Sequence, residues 1–247
     1  MIKFALMAGA ALAAFAPAAH AALITRADLF SLQSTPGAST VAINLSGVST
    51  PSQATFNGNG YAITFSVPAN QGVVQGALAG AYAIPAAGVS GGSATYLTGG
   101  FGSAQTTSPA LSGNYLSTGG AGSSITITFS TPKTSFALLW GSIDTGNSLT
   151  FRDASNAITD VLTGDVVQTL ARGFVSNGFQ GAGGSAYVST TASTPFKSVT
   201  LSSSVVSFEA AAFAGSNAPF IVPEPVSIAL LGAGLAGLGL ARRTRRA

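Results

Sequence analysis

Residues 124–151 read SITITFSTPKTSFALLWGSIDTGNSLTF, and their pattern of apolar, polar and turn-forming residues is typical of consecutive β-strands. From Ile125 to Phe129, apolar residues alternate with threonines, which gives an extended strand one apolar and one polar face. The run FALLW at 136–140 is continuously apolar and predicts a strand buried on both faces. The turn sequence DTGN at 144–147 then separates it from a further strand that begins at Leu149.

The same short-strand pattern recurs on both sides of this stretch. Further alternating or apolar runs predict strands at 41–45, 61–67, 157–162, 185–190, 196–201 and 205–210. Strands spaced this regularly favour an all-β domain, as a two-sheet β-sandwich or jelly roll. Residues 68–122 are dominated by Gly, Ala, Ser and Thr, and predict long loops or a partly ordered insertion within that domain.

The composition excludes several classes of protein. Only 7% of the residues are charged and 31 are glycine, which is typical of an exported, turn-rich β protein. The formal charge of +3 arises at the ends of the chain: Lys3 and four C-terminal arginines supply five positive charges, so the rest carries −2. We therefore expect no nucleic-acid partner. Cysteine is absent, so sheet pairing and core burial alone must stabilise the domain.

The N-terminus has the pattern of an export signal. Lys3 precedes an apolar stretch from Phe4 to Phe15, and the tripeptide Ala19-His20-Ala21 follows. A charged start, a short apolar run and small residues around a cleavage site predict a signal peptide at 1–21, removed after Ala21.

The C-terminus has three parts in a fixed order. Pro223-Glu224-Pro225 interrupts regular structure, and an uncharged run of 16 residues follows from Val226 to Ala241. As a helix that run reaches about 24 Å, so it spans a bilayer core of about 30 Å only with local thinning. The basic cluster after it is expected to stay on the cytoplasmic side; it consists of Arg242, Arg243, Arg245 and Arg246.

This tail resembles the PEP-CTERM sorting signal of Gram-negative bacteria. The resemblance covers residues 223–247 and rests on the order of motif, Ala- and Gly-rich helix and arginine cluster. It implies export, retention in the inner membrane by the tail, and processing by an exosortase near Pro223-Glu224-Pro225. The alternative is a plain C-terminal tail anchor. It would explain the helix and the arginines but leave Pro223-Glu224-Pro225 without a role.

Two internal segments also resemble parts of PEP-CTERM surface proteins. The first is 136–151, and the second runs from Phe196 to Phe208. In the family the second often ends in an acidic Phe-Glu-x-Asp-Asn pattern. Here Phe208-Glu209 is followed by Ala211 and Ala212, so a ligand or ion site built on the later polar pair would lack its side chains.

Two strings imitate catalytic or cofactor motifs. Residues 88–92, GVSGG, match a hydrolase nucleophile elbow, but the one histidine, His20, lies in the predicted signal peptide. A Ser-His-Asp mechanism is therefore excluded for the processed chain. Residues 232–237 match a dinucleotide fingerprint without room for a βαβ unit, and we interpret them as small residues on a membrane helix.

Metal and carbohydrate binding compete with structural roles for the same side chains. The plausible oxygen ligands for calcium fit no EF-hand spacing, and they are ordinary turn residues: Asp144, Asn147, Asp153, Asn156, Asp160 and Asp165. Zinc is not expected without cysteine or a processed-chain histidine. Trp140 could stack on a sugar, but its place at the end of an apolar run favours the core. We expect no metal and no cofactor.

The sequence thus predicts a signal peptide at 1–21, a β-sandwich surface domain at 22–222 and a sorting signal at 223–247. The expected function is non-catalytic, at the cell surface or in an extracellular matrix, linked to the envelope or to biofilm exopolysaccharide. The expected partners are an exosortase, the inner membrane before processing, and exopolysaccharide. The alternatives are a carbohydrate-binding module, which would need an exposed row of aromatic side chains, and a secreted hydrolase with two carboxylates in one cleft.

Overall fold

A computed structural model describes residues 23–28, 40–45, 47–85, 96–97, 105–106, 113–171 and 184–219. The predicted signal peptide, the Pro-Glu-Pro motif, the C-terminal helix and the arginine cluster lie outside the described residues. So do the two strings at 88–92 and 232–237. Within the described ranges, no helix is long and apolar enough to cross a membrane.

The described chain is mostly β-strand, which confirms the all-β prediction. Its strands are β1 (Leu23–Asp28), β2 (Val41–Ala42), β3 (Phe56–Gly58), β4 (Tyr61–Ser66), β5 (Gly72–Val74), β6 (Tyr96–Leu97), β7 (Gln105–Thr106), β8 (Tyr115–Ser117), β9 (Ser123–Gly141), β10 (Asn147–Arg152), β11 (Ile158–Thr163), β12 (Ala186–Ser203) and β13 (Glu209–Ser216). The helix that the structure describes is α1 (Gly164–Leu170). Eleven strands form one hydrogen-bonded sheet, and β6 pairs with β7 separately.

The two long strands, β9 and β12, change neighbours halfway along. The first half of β9, 124–129, lies between β4 and the second half of β12. The second half of β9, 135–141, lies between β13 and the first half of β12. The register of β12 against β9 shifts between Thr191 and Ser198. Bends and bulges of this kind let one strand take part in two differently oriented parts of a sheet.

This arrangement corrects the strand count expected from the sequence. The runs at 185–190 and 196–201, predicted as two strands, both belong to β12. The stretches at 124–130 and 136–140 likewise belong to β9, although Pro132 lies between them. Pro132 is exposed beside the change of neighbours, where the loss of a backbone donor is tolerated.

One apolar core joins the two halves of the long strands. Ile125, Ile127 and Phe129 are fully buried, while the threonines between them are half-buried, as the alternation predicts. All residues from Phe136 to Trp140 are fully buried, which confirms the strand buried on both faces. The rings of Phe136 and Phe151 meet edge to face with centroids 6.2 Å apart.

One further expectation needs correction, and several short elements were not predicted. The run at 205–210 is not one strand, because Val205 and Val206 are 67% and 48% exposed and β13 begins at Glu209. In the Gly-, Ala- and Ser-rich segment, β5 and β8 join the main sheet and pair with each other. Helix α1 was not predicted, because its seven residues bury a single valine, Val167, and carry no longer helical pattern.

Candidate functional site

A polar cleft of about 410 Å³ opens beside the start of β13. Pockets of this size are within the range that holds small ligands. Its polar lining comes from segments far apart in sequence: Asn70, Gln71, Tyr82, Ser142, Ser207 and Glu209. The exposed Val205 and Val206 form part of its wall. The cleft therefore depends on the sheet bringing the ends of β9 and β13 together.

Among the described residues, Glu209 is the carboxyl that lines this cleft. It is 2% exposed, and its backbone lies between Gly141 of β9 and Ser117 of β8. Its Oε1 accepts a hydrogen bond from the Ala83 N–H at 3.2 Å, and the Ser142 hydroxyl also bonds to the carboxyl. Oε2 has no hydrogen-bond partner within the described structure. Burial raises the pKa of Glu209 from 4.5 to about 8, so the carboxyl is mostly protonated at neutral pH.

The turn at 142–147 lies against Glu209, and we call it the buried turn. Ser142 has a φ of +44°, which is unusual for a residue with a side chain. The Asp144 Oδ1 accepts a hydrogen bond from the Gly146 N–H at 2.7 Å, and the Asn147 side chain donates to the Ser142 carbonyl at 3.2 Å. Asp144 Oδ2 and Asn147 Oδ1 are buried and find no hydrogen-bond partner among the described residues.

The electrostatics of the buried turn and of Glu209 are coupled. Burial raises the pKa of Asp144, although the N–H groups of Gly146 and Asn147 oppose the change. The charge of Asp144 in turn contributes to the raised pKa of Glu209. Neither carboxyl pairs with a lysine or arginine in the part of the chain that the structure describes. The protonation state of Asp144 therefore affects the pKa of Glu209.

The structure separates the six residues considered as calcium ligands. Asp153 and Asn156 lie in a surface turn between β10 and β11, and Asp165 is exposed at the start of α1. Asp160 lies on β11, opposite Phe151 of β10. Across the described ranges, no group of three His, Cys, Asp or Glu side chains is placed to hold a metal ion. A cation site there would have to use neutral oxygens as well as carboxylates.

Trp140 is part of the core, as predicted. It is fully buried and stacks on Phe208, with centroids 4.3 Å apart and planes at 13°. No aromatic side chain among those the structure describes is exposed. The row of exposed aromatic residues required by the carbohydrate-binding alternative is therefore not present in the described part.

Glu209 did not emerge as a site residue from the sequence. The available signal is the acid directly before the apolar run AAAF, in the segment resembling a family pattern. The groups that bond to its carboxyl, the Ala83 N–H and the Ser142 hydroxyl, are distant in sequence. No protein-family model and no curated protein matches this sequence.

Proposed function

We propose that this chain is a non-catalytic, exported surface protein, sorted through a PEP-CTERM and exosortase route. In this proposal residues 1–21 direct export and residues 223–247 hold the chain in the inner membrane until processing. The product is a jelly-roll-like β-sandwich that serves the envelope or an exopolysaccharide matrix. The change of neighbours within β9 and β12 supports the sandwich, because strands that turn a corner between two sheets have this pairing.

The observation that carries the proposal is the position of β13. This last described strand ends at Ser216, so only residues 217–222 separate it from Pro223-Glu224-Pro225. β13 lies inside the sheet, between β9 and β8. The strand that precedes the tail is thus held by hydrogen bonds on both sides. The two prolines then keep the next residues extended and accessible to a processing enzyme.

Two features of the cleft favour a non-catalytic role over the hydrolase alternative. An acid and base pair needs two carboxyls whose pKa values are driven apart, so that one is protonated and the other ionised. Here burial raises the pKa of both Glu209 and Asp144. In addition, Asp144 is not among the residues that line the cleft.

Intact-mass analysis of the protein from its native cells tests the sorting proposal. We expect a mature chain that begins after Ala21 and has lost Val226–Ala247. Glu224→Ala, or deletion of the exosortase, should leave a longer chain in the inner membrane, while the nearby Ser227→Ala should be processed normally. A surface protein that still carries Arg242 to Ala247 would overturn the proposal in favour of a simple tail anchor.

A further inference from the structure

Three buried oxygens near the cleft can accept hydrogen bonds but receive none from the described residues. They are Asp144 Oδ2, Asn147 Oδ1 and Glu209 Oε2. Their residues are 6%, 1% and 2% exposed, respectively. Buried polar atoms in folded proteins nearly always have a partner, so three such acceptors in one region need an explanation.

Direct contacts connect these three residues through Ser142. The Asn147 side chain donates to the Ser142 carbonyl, and the Ser142 hydroxyl bonds to the Glu209 carboxyl. Asp144 is close enough to Glu209 for its charge to act on that carboxyl. The three acceptors therefore belong to one unit, formed by the buried turn and the start of β13.

Protonation alone does not satisfy this unit. A proton on Glu209 supplies one donor, while the Asn147 Oδ1 is an amide oxygen that cannot be protonated near neutral pH. A positive ion, in contrast, is a partner that both carboxylates and the amide oxygen can accept. Two carboxylates and an amide oxygen are the ligand types that calcium prefers, and water and backbone carbonyls commonly complete its six to eight ligands. The cleft beside Glu209 gives such water a route to the site.

We propose that Asp144, Asn147 and Glu209 bind one divalent cation of the calcium type at the buried turn. This inference goes beyond the sorting proposal and does not depend on it. Of the six calcium candidates in the sequence, it gives a binding role to Asp144 and Asn147, which were expected to act only as turn residues. Glu209 joins them in place of the other four.

The surrounding charges determine how the site should respond to pH. The charge of Asp144 contributes to the raised pKa of Glu209, and the charge of Glu209 contributes to the raised pKa of Tyr115. Neither Asp144 nor Tyr115 can supply a positive charge. Tyr82, which lines the cleft, is also a phenol. The cation must therefore displace the proton of Glu209. Because a carboxyl must be deprotonated to act as a metal ligand, the affinity for calcium is expected to increase as the pH rises.

Calorimetric titration of the full chain with calcium chloride, after treatment with chelator, tests the proposal. Extracellular calcium modules bind with Kd values of about 10⁻⁴–10⁻³ M, and the titration should cover that range. We expect saturable binding of one ion, stronger at about pH 8 than at about pH 6. We also expect a melting temperature that rises with calcium concentration. Absence of saturable binding by the wild-type chain at both pH values would overturn the proposal.

Matched variants locate the site. Asp144→Asn and Glu209→Gln preserve shape and remove one charge each, and each should weaken calcium binding by at least about tenfold. Asp153→Asn makes the same change in the surface turn and should bind like the wild type. Equal losses for Asp153→Asn and Asp144→Asn would overturn the assignment. A cooperative melting transition in chelator verifies that each variant is folded. If a variant does not fold, the calcium titrations of the wild-type chain at the two pH values still test the proposal. Normal processing of a chain that binds no calcium would leave the sorting proposal intact.

Discussion

The two turns that flank β10 have the same sequence pattern and opposite environments. Asp144-Thr145-Gly146-Asn147 precedes the strand, and Asp153-Ala154-Ser155-Asn156 follows it. In the surface turn, the Asp153 Oδ1 accepts hydrogen bonds from the Ser155 N–H, the Ser155 hydroxyl and the Ala157 N–H, at 2.7 to 2.9 Å. These bonds, chiefly that from the Ser155 hydroxyl, lower the pKa of Asp153, whereas burial raises the pKa of Asp144.

The difference comes from what packs against each turn. A Cβ on Gly164 of α1 would lie 1.8 Å from the Asp144 carbonyl oxygen, so the helix can approach the buried turn only with glycine there. The Gln168 side chain donates to the Ile143 carbonyl from the same helix. The surface turn instead leads into β11, which ends the strand order of the sheet. An Asp-x-x-Asn pattern therefore predicts a turn, and the surrounding fold determines its chemistry.

The largest expected difference concerns the core on either side of the two turns. Trp140→Ala, before the buried turn, should destabilise the domain by about 3 to 5 kcal/mol, because it removes a fully buried ring stacked on Phe208. Ile158→Ala, just after the surface turn, should change stability by only about 0.5 kcal/mol, because Ile158 is 49% exposed. Chemical denaturation of both variants measures the contrast. Equal losses of unfolding free energy would show that the core beside the buried turn contributes no more to stability than the surface beside the other turn.

The second expected difference is the sign of the pH dependence. With its native pKa raised to about 8, Glu209 keeps a proton that the unfolded chain releases above about pH 4.5. In chelator, its contribution to the free energy of unfolding is therefore full below about pH 4.5 and is lost as the pH rises towards 8, with a slope of at most about 1.4 kcal/mol per pH unit. Asp153, whose pKa is lowered, contributes with the opposite sign and loses its effect in acid.

Denaturation of the wild type and two variants across this pH range checks the sign at Glu209, with the Asp153 variant as the control. Glu209→Gln should flatten the decline between about pH 4.5 and 8, and Asp153→Asn should leave it unchanged. A wild-type chain whose stability does not fall relative to Glu209→Gln would show that Glu209 titrates normally. That result would remove the distinction between the two turns.

The smallest expected difference concerns the two asparagines. Asn147→Ala should destabilise the domain by about 1 to 2 kcal/mol, because the buried Ser142 carbonyl loses its side-chain donor. Asn156→Gly should be within about 0.5 kcal/mol of the wild type, because Asn156 has a φ of +68°, which glycine adopts without strain. Thermal melting in chelator compares them. A larger loss for Asn156→Gly would contradict the account of both turns.

Local patterns predict much of the fold. The alternation from Ile125 to Phe129 and the apolar run ending at Trp140 are both interpreted correctly, because each strand carries its own burial pattern in its side chains. Local patterns do not predict that these two strands form one continuous strand, β9. Pro132 and its polar neighbours have the composition of a loop. Their pairing depends on partner strands that a local pattern does not reveal.

The candidate site is less predictable for the same reason. The turn at 144–147 is predicted, but its burial depends on α1 and β13, which follow later in the chain. Glu209 stands out only as part of a family-like pattern, and the missing polar pair at Ala211 and Ala212 argues against a site. A lone acid before an apolar run does not reveal which backbone and hydroxyl groups will meet it.

A carboxyl-detected NMR titration of the metal-free chain tests whether the buried turn and β13 differ electrostatically from the surface turn. It follows the side-chain carbons of Glu209, Asp144 and Asp153 in one sample. The account predicts a pKa of about 8 for Glu209, a raised pKa for Asp144 and a lowered pKa for Asp153. The opposite result would be ordinary pKa values for Glu209, Asp144 and Asp153. The buried turn and β13 would then form no distinct electrostatic unit.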